Sequence, residues 1–253
     1  MKKSFLTGKT GDFLTEILCA PRADRIFRKW AAEDGLKEIL PEIEAMRGVT
    51  QPPEFHPEGD VFEHTMIMLK HMVFPDPLLA WSVLLHDVGK PLTRSVEESG
   101  RIRFFGHEEK GAEMVPSILK RFGFQEKEIA IIVHAVKNHM RFAYVRDMRG
   151  SKLTRLIREE HFSLELELHR LDCISCHGKM ACFDFLVEKM MELPAVETEI
   201  KPFVSGADLL ALGMVPGRKM GTLLKTVKQM QGTGEILSRE KALEFVKQTI
   251  NKG

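Results

Sequence analysis

Apolar residues recur at intervals of three and four along nearly the whole chain, and runs that alternate between β-branched and polar residues are almost absent. Intervals of three and four place side chains on one face of an α-helix, whereas a half-buried strand alternates at every second residue. The pattern therefore predicts an all-α protein. Residues 164–168 alternate as a strand does, but Leu164, Leu168 and Leu171 keep the helical interval and favour a helix.

Capping residues and prolines set the expected helix boundaries. Asp60, followed three residues later by Glu63, is a variant of the capping box and predicts a helix that runs to about Phe74. Further helices are expected from Pro77 to about Val88, from His107 to Arg121 with a kink at Pro116, from Gln125 to about Met140, and from Ser163 to about His177. The segments 94–96 and 101–105 predict a small β-hairpin.

Loop-forming residues divide the chain into three parts. Short helices in residues 1–50 form an N-terminal helical segment, which ends at the proline-rich loop 51–59. Residues 51–195 form the central helical bundle. Residues 196–253, in which prolines and glycines separate short helices, predict a small C-terminal helical unit.

Composition limits the classes of protein to which this chain can belong. A hydrophobic share of 43% and a charged share of 29% over 253 residues are typical of a globular protein with a real core. The net charge of +1 gives no global field that attracts nucleic acid, so any RNA-binding patch must be local. Four cysteines are too few for a disulfide framework, and no stretch approaches the roughly 18 apolar residues of a membrane span. These features predict a cytoplasmic protein that does not enter the membrane.

The pair His86 and Asp87 is the first candidate for chemistry. Residues 78–85 are apolar on every side, which marks their helix as buried. An ionised carboxylate at the end of such a helix needs a cation, several hydrogen-bond donors or a raised pKa. The adjacent imidazole supplies a nitrogen ligand, and this mixed set suits zinc, iron, manganese or nickel better than calcium. In the alternative interpretation the pair only ends a helix, where the helix dipole favours the histidine but not the aspartate.

The segment around this pair resembles the signature of the HD superfamily of metal-dependent phosphohydrolases: Leu84-Leu85-His86-Asp87-Val88-Gly89-Lys90-Pro91. In that family an upstream histidine, the His-Asp pair and a downstream aspartate converge on a metal, and many members add histidines that hold a second metal. The matching positions are His64, His86, Asp87 and Asp172 for the first metal, with His107 and His139 for the second.

What this resemblance implies is an HD-domain helical bundle with a metal cofactor. The cofactor is expected to be one or two divalent transition-metal ions (Mn, Fe, Ni, Zn or Co) that activate a water for attack on a phosphoester. Asp87 would then be catalytic as the bridge between two ions. Lys90 is a catalytic candidate that neutralises phosphate charge, although the helix dipole alone equally explains a lysine there. Arg141 and Arg170 are weaker candidates for binding the substrate phosphate.

The other histidines are not expected to bind the metal. His71 lies on the same helix as His64 but about 10 Å further along it, too far for both to bind one ion. His134 is expected to face solvent because it lies well round from the apolar stripe of its helix. A surface position or a supporting contact is favoured for His56, His161, His169 and His177.

A closer resemblance, to bacterial tRNA nucleotidyltransferases of the poly(A) polymerase family, extends over nearly the whole chain. It rests on the segments 52–56, 104–108, 138–142 and 168–172, while residues 11–48 resemble the neck helices and residues 204–217 the tail. The Gly-Gly motif and the Asp-x-Asp metal pair of the catalytic head of that family are not found before the HD region. Two-metal nucleotidyl transfer needs those carboxylates, so it is not expected of this chain alone.

Two hypotheses about function follow. The first is a metal-dependent phosphohydrolase, either a phosphomonoesterase or a phosphodiesterase, acting on a nucleotide, a cyclic phosphate or an RNA end. The second is a non-catalytic protein or subunit that binds tRNA or another RNA and partners a separate nucleotidyltransferase head.

Three clustered cysteines, Cys173, Cys176 and Cys182, allow further interpretations. Cys173 and Cys176 precede His177 with the spacing of a c-type haem attachment site, but the start of the chain has no apolar signal segment. A structural zinc site with a histidine is an alternative. Ordinary buried thiols are favoured over both.

Overall fold

The computed structural model describes residues 8–176, 178–193, 202–232, 235–236 and 238–251. The fold is all-α, as the apolar spacing predicts. In chain order the helices are α1 (Gly8–Leu18), α2 (Ala23–Ala32), α3 (Gly35–Ile39), α4 (Pro41–Glu44), α5 (Val61–His71), α6 (Pro77–Leu85), α7 (Lys90–Thr93), α8 (His107–Arg121), α9 (Glu126–Asn138), α10 (Gly150–Ile157), α11 (Phe162–Ser175), α12 (Ala181–Glu192), α13 (Gly206–Ala211), α14 (Arg218–Gly232) and α15 (Arg239–Asn251). A 3-10 helix, His139–Asp147, follows α9 directly.

The chain divides into two compact units, Met1–Leu193 and Pro194–Gly253. The boundary that the sequence suggests at residue 50 lies inside the first unit, because the N-terminal helices contribute to the same buried core as the helices that follow. The core residues from both sides of that position include Leu14, Phe27, Leu36, Leu84 and Ile132. The first unit carries all of the candidate chemistry.

The buried helix α6 lies at the centre of the first unit. Its residues from Leu79 to Leu85 are buried, as the apolar run predicts. Trp81 packs against Phe122 with ring centroids 5.5 Å apart, and its Nε1 donates a hydrogen bond to Thr15 Oγ1 at 2.9 Å. Burying large apolar side chains stabilises the fold by about 1.5–3 kcal/mol each. This packing fixes the position of the residues that follow α6.

The start of α5 is capped as predicted, since Asp60 Oδ1 accepts a hydrogen bond from the backbone N–H of Glu63 at 2.7 Å. The helix ends at His71, three residues before the expected end at Phe74. Met72 has extended backbone angles (φ −74°, ψ 105°) and packs against the core, which stops the helix. Phe74 is 87% exposed in the connection to α6.

The predicted β-hairpin is confirmed. Strands β1 (Ser95–Val96) and β2 (Ile102–Arg103) are antiparallel, with Ser95 opposite Arg103 and Val96 opposite Ile102. The hairpin lies between α7 and α8 and leads directly into the segment that precedes His107.

Two helix boundaries near the candidate site follow the predictions closely. The helix α8 spans His107–Arg121 as predicted and continues through Pro116. The helix α9 ends at Asn138, two residues before its expected end, because the chain tightens into the 3-10 helix at His139. The expected last residue of α11, His177, lies outside the described residues, and Ser175 ends the helix.

The second unit is built from α13, α14 and α15 around its own small apolar core. Ser205 begins α13 with a capping box, in which its hydroxyl and the Asp208 carboxylate bond to each other's backbone N–H. The core includes Leu209, Val227, Ala242 and Val246. Across the described parts of the whole chain, none of the helices combines the length and apolar character needed to cross a bilayer.

Candidate metal centre

The six predicted metal ligands come together in the first unit, although they are spread over more than 100 residues of sequence. Each is carried by the end or the buried face of a helix. His64 lies on α5, His86 and Asp87 follow α6, His107 begins α8, His139 begins the 3-10 helix, and Asp172 lies on α11. Among them only Asp172 is partly accessible, with 23% of its side chain exposed.

The first group of ligand atoms belongs to His64, His86 and Asp87, whose donor atoms all lie within 4.8 Å of one another. His86 Nε2 is 3.0 Å from Asp87 Oδ2, and His64 Nε2 is 3.1 Å from Asp172 Oδ1. Nitrogen and oxygen ligands bound to one ion at about 2.0–2.2 Å are separated from each other by roughly 3 to 3.5 Å. Each of these two pairs therefore has a spacing that a shared cation allows, and Asp172 adjoins the group through His64.

The second group contains Asp87, His107 and His139. Asp87 Oδ1 is 3.4 Å from His107 Nε2 and 3.7 Å from His139 Nε2, and the two histidine nitrogens are 3.2 Å apart. Asp87 thus belongs to both groups, with one carboxylate oxygen directed to each. This arrangement suits a carboxylate that bridges two ions.

The residues fit a metal because the polar atoms that face the centre are otherwise unsatisfied. His86 Nε2 and Asp87 Oδ1 are buried and make no hydrogen bond to any described residue. His64 Nε2 is also buried and faces the Asp172 carboxylate, 3.1 Å from Oδ1. Leaving a buried polar atom unpaired costs about 1–3 kcal/mol, and more for a charged group. A cation coordinated by these atoms removes that cost.

Three of the histidines are oriented by the backbone. The Nδ1 atoms of His86, His107 and His139 each lie 2.7–2.8 Å from a carbonyl oxygen three residues earlier, those of Val83, Phe104 and Val136. Donation from Nδ1 to a carbonyl leaves the Nε2 lone pair free, and metal-binding histidines are commonly held in this way. The backbone therefore points three Nε2 atoms at the ligand groups.

Glu58 holds the fourth histidine, and the sequence analysis did not single it out. Its Oε1 accepts hydrogen bonds from His64 Nδ1 at 2.6 Å and from His56 Nδ1 at 2.9 Å. Burial opposes ionisation of Glu58, but these two histidines outweigh it and lower the pKa of the carboxyl to about 2. Burial also opposes protonation of His64, yet hydrogen bonds to Asp172 and Glu58 raise its pKa to about 9. Glu58 thereby orients the ring of His64 towards Asp172.

The substitution Glu58→Gln is expected to lower the affinity for divalent metal about 10- to 100-fold, because a neutral amide orients His64 less firmly than a carboxylate does. The measurement is a calorimetric titration of the purified protein with Mn²⁺ and with Zn²⁺. Glu54→Gln, an exposed residue in the same loop, is the control and should leave the affinity unchanged. Equal affinities for the two variants would show that Glu58 does not support the centre.

The protonation states of Asp87 and His139 suit a cation. Burial by itself raises the pKa of the Asp87 carboxyl, but the charges of His86 and Lys90 hold it well below its usual range. Burial and the charge of His86 lower the pKa of His139 to about 3. At neutral pH Asp87 is therefore anionic and His139 is neutral, which are the forms that bind metal, whereas His64 must release a proton when an ion binds.

Lys90 lies beside Asp87 and is almost fully buried. Its Nζ donates hydrogen bonds to Asp87 Oδ2 and to Gln51 Oε1, each at 2.7 Å. The sequence did not identify Gln51 as a partner, because the contact joins residues 39 positions apart. Lys90 therefore balances part of the negative charge of Asp87 from inside the fold.

A cavity of about 610 Å³ opens over the cluster. Its volume lies within the range of about 300–1,000 Å³ that is typical of small-molecule sites. The candidate ligands and catalytic residues that line it are His86, Asp87, Lys90, His107, His139 and Asp172. Residues of both ligand groups therefore line one cavity.

The two predicted phosphate-binding arginines lie elsewhere. Arg141 pairs with Glu165 and, at 2.8 Å, with Glu159, while Arg170 makes two hydrogen bonds of 2.7 Å to Glu167. Neither side chain lines the cavity. Both guanidinium groups are engaged in ion pairs within the protein. No pattern in the sequence reveals the carboxylate partners of these ion pairs.

The remaining histidines take other positions. His71 is not part of any ligand group among the described residues, as expected. His134 is 46% exposed but contacts the buried carboxylate of Glu165 at 2.5 Å, so its prediction as a purely solvated residue is incomplete. His56 and His169 line the cavity. His177 lies outside the described residues.

None of the four cysteines forms a disulfide bond with another described residue. Cys173 lies close to His169, with Sγ 3.6 Å from Nε2, and burial raises the pKa of its thiol to about 12. No ligand group found among the described residues contains a cysteine. These observations give the zinc and haem interpretations no support from the residues that the structure describes.

Comparison with known proteins connects this centre to one family. The HD domain family matches residues 61–175. The chain is 31% identical over 248 residues to the A-adding tRNA nucleotidyltransferase of Deinococcus radiodurans. The alignment covers 93% of this chain and 56% of that protein. It is 30% identical over 251 residues to the CC-adding tRNA nucleotidyltransferase of Thermus thermophilus, covering 92% and 54% respectively. The chain therefore spans about half the length of these relatives.

Proposed function

Because residues 61–175 match the HD domain family and the chain is 31% identical to a bacterial tRNA nucleotidyltransferase over 93% of its own length, we propose that it is a metal-dependent phosphohydrolase. Its substrate is a nucleotide, a cyclic phosphate or an RNA end, and the reaction is hydrolysis of a phosphomonoester or phosphodiester. The observation that carries this proposal is the membership of Asp87 in two buried ligand groups beneath one cavity.

Three candidate ligand groups occur among the described residues, one of them formed by His56, Glu58 and His64, and the metal assignment uses the two that share Asp87. His64, His86, Asp87 and Asp172 would hold one divalent transition-metal ion, and Asp87, His107 and His139 would hold a second. The mixed nitrogen and oxygen donors suit Mn, Fe, Ni, Zn or Co. When bound, such an ion lowers the pKa of a coordinated water from about 15.7 towards about 7 and polarises phosphoryl oxygens.

The protein's own residues prepare the site for a phosphate. Backbone carbonyls and Glu58 hold the four histidine rings in place, so little ordering remains when the substrate enters. Lys90 lines the cavity next to Asp87, where its positive charge reduces repulsion between the buried carboxylate and a phosphate. Arg141 and Arg170 are not part of the proposed site, because each is paired outside the cavity.

Phosphate release tests this proposal. Protein loaded with Mn²⁺ is expected to hydrolyse at least one member of a panel of nucleoside monophosphates and nucleoside 2′,3′-cyclic phosphates. His86→Ala should reduce that rate at least about 100-fold, because it removes a ligand of the first group. His71→Ala, which changes a histidine outside the ligand groups, is the matched control. No turnover of any substrate, or equal rates for the wild-type protein and His86→Ala, would contradict the proposal.

A second candidate function is supported by the names of the relatives, both of which are tRNA nucleotidyltransferases. It is a non-catalytic role in which the chain binds tRNA or another RNA and partners a nucleotidyltransferase head. An RNA gel-shift at stated salt, with the wild-type protein and with Asp87→Ala, separates the two functions. RNA binding that survives this substitution, without any phosphoester hydrolysis, would favour the second. We propose the cytoplasm as the place of either function, because cysteines that form no disulfide bond suit a reducing compartment.

A further inference from the structure

The outer part of the cavity carries exposed aromatic side chains that the metal chemistry does not use. Resting on the phosphohydrolase function proposed above, we propose that Phe105 and Tyr144 select the substrate by stacking on a nucleobase, so that the hydrolysed phosphate belongs to a nucleoside. Both side chains line the same cavity as Asp87 and His107.

The exposure of these rings is unusual for side chains beside a buried polar centre. Phe105 is 75% exposed, Tyr144 is 66% exposed and Phe55 is 47% exposed, and all three line the cavity. They come from three separate segments: the residues after β2, the 3-10 helix and the loop before α5. Convergence of exposed aromatic side chains from separate segments on one cavity marks a ligand-binding surface.

The charges in the outer cavity complement a phosphorylated ligand. Arg101 and Arg103 line it from the hairpin, with Lys90 deeper inside. The Arg103 guanidinium lies over the Phe105 ring, 5.6 Å from its centroid, and its Nε donates to Glu97 at 2.9 Å. The Arg101 side chain makes no hydrogen bond or ion pair to any residue that the structure describes. Three carboxylates, those of Asp87, Glu108 and Asp172, line the cavity together with the three cations. Because Lys90 is paired with Asp87 and Arg103 with Glu97, Arg101 is the cation that can meet the phosphate of a ligand.

Flat aromatic faces next to arginines fit a nucleobase attached to a phosphate. Every nucleobase has a π-face, so stacking on an aromatic side chain tolerates any base sequence. An acyl chain packs better against aliphatic side chains, and inorganic phosphate has no flat apolar face that could stack on an aromatic ring. A phosphorylated aromatic amino acid is the main competing ligand, and the experiment therefore includes it.

Fluorescence of 2-aminopurine riboside tests the proposal on the full chain loaded with Mn²⁺. This nucleoside contains no phosphoester, so its binding is independent of turnover, and stacking on an aromatic ring quenches its emission. Wild-type protein is expected to quench it. Phe105→Leu and Tyr144→Leu should each weaken binding roughly 10-fold, whereas Tyr144→Phe should bind as the wild type does. Phe74→Leu, which changes an equally exposed phenylalanine outside the cavity lining, is the control.

Hydrolysis of ribose 5-phosphate separates base recognition from the metal chemistry. This substrate has no base, so the ratio of the rate for adenosine 5′-monophosphate to the rate for ribose 5-phosphate should fall in Phe105→Leu and in Tyr144→Leu. Quenching without hydrolysis of any phosphoester would support base binding and contradict the proposed function. Hydrolysis without quenching, equal affinities for wild type and both leucine variants, or tighter competition by phosphotyrosine than by adenosine 5′-monophosphate would overturn the inference.

Discussion

Replacement of Asp87 by asparagine is expected to reduce phosphoester hydrolysis at least about 10³-fold and to remove bound metal. Asp87 is the only residue that belongs to both ligand groups formed by His64, His86, His107 and His139 among the described residues. An amide has no negative charge to offer either ion, so both groups are weakened by one change. Metal content by mass spectrometry and the rate on the best substrate of the phosphate-release panel measure the two effects.

The matched control for this substitution is Asp34→Asn. Asp34 is exposed and has a left-handed backbone conformation (φ 58°), which asparagine adopts as readily as aspartate does. It makes the same chemical change far from the ligand groups and should leave metal content and rate at the wild-type level. A folded Asp87→Asn protein that keeps both its metal and its rate would exclude Asp87 as a ligand.

The substitution Gly89→Ala is expected to destabilise the first unit by about 3 kcal/mol, which corresponds to a loss of roughly 6–12 °C in Tm. A Cβ atom at Gly89 would lie 2.2 Å from the carbonyl oxygen of His107 and 2.6 Å from the amide nitrogen of Gly111. Both atoms belong to the backbone of α8, so the steric clash is removed only if the helix moves away from the turn that carries Asp87. His107 would move with it, and the metal stoichiometry should fall.

Thermal unfolding followed by circular dichroism, together with metal analysis, measures these effects. Gly150→Ala is the control, because a Cβ atom at that position meets no atom within 4 Å and the residue lies at the start of α10. An unchanged Tm for Gly89→Ala would mean that the turn and α8 can separate without any loss of folding stability. That result would contradict the close backbone contact as a stabilising feature.

The sequence predicted the all-α fold through local patterns, whereas the candidate ligand set came from the resemblance to the HD superfamily. The apolar run in α6 predicted that this helix is buried. Asp60 predicted the start of α5, because its capping contact is with Glu63, only three residues away. The residues His86 and Asp87 sit in a recognisable segment, and their partners match family positions at fixed places along the chain. That those side chains actually act as ligands stays a prediction until the metal is measured.

The supporting residues could not be predicted because their partners are distant in the sequence. Gln51 meets Lys90 only when the loop before α5 folds over the turn after α6. Arg141 has the charge of a phosphate ligand, but its pairing with Glu165 on α11 depends on how two helices pack. Tyr144 carries no motif, and its exposure beside the cavity follows from the 3-10 helix that replaces the last turn of α9.

The carbonyl contacts of His86, His107 and His139 have a consequence for how metal affinity depends on temperature and mutation. Each ring is held by the backbone at the junction of a helix, so its rotational freedom is lost when the helices form and not when the ion arrives. We therefore expect the metal affinity to depend on the rigidity of these three helix junctions in addition to the support that Glu58 gives to His64. Local fraying at any of them releases a ring and weakens the centre without removing a single ligand atom.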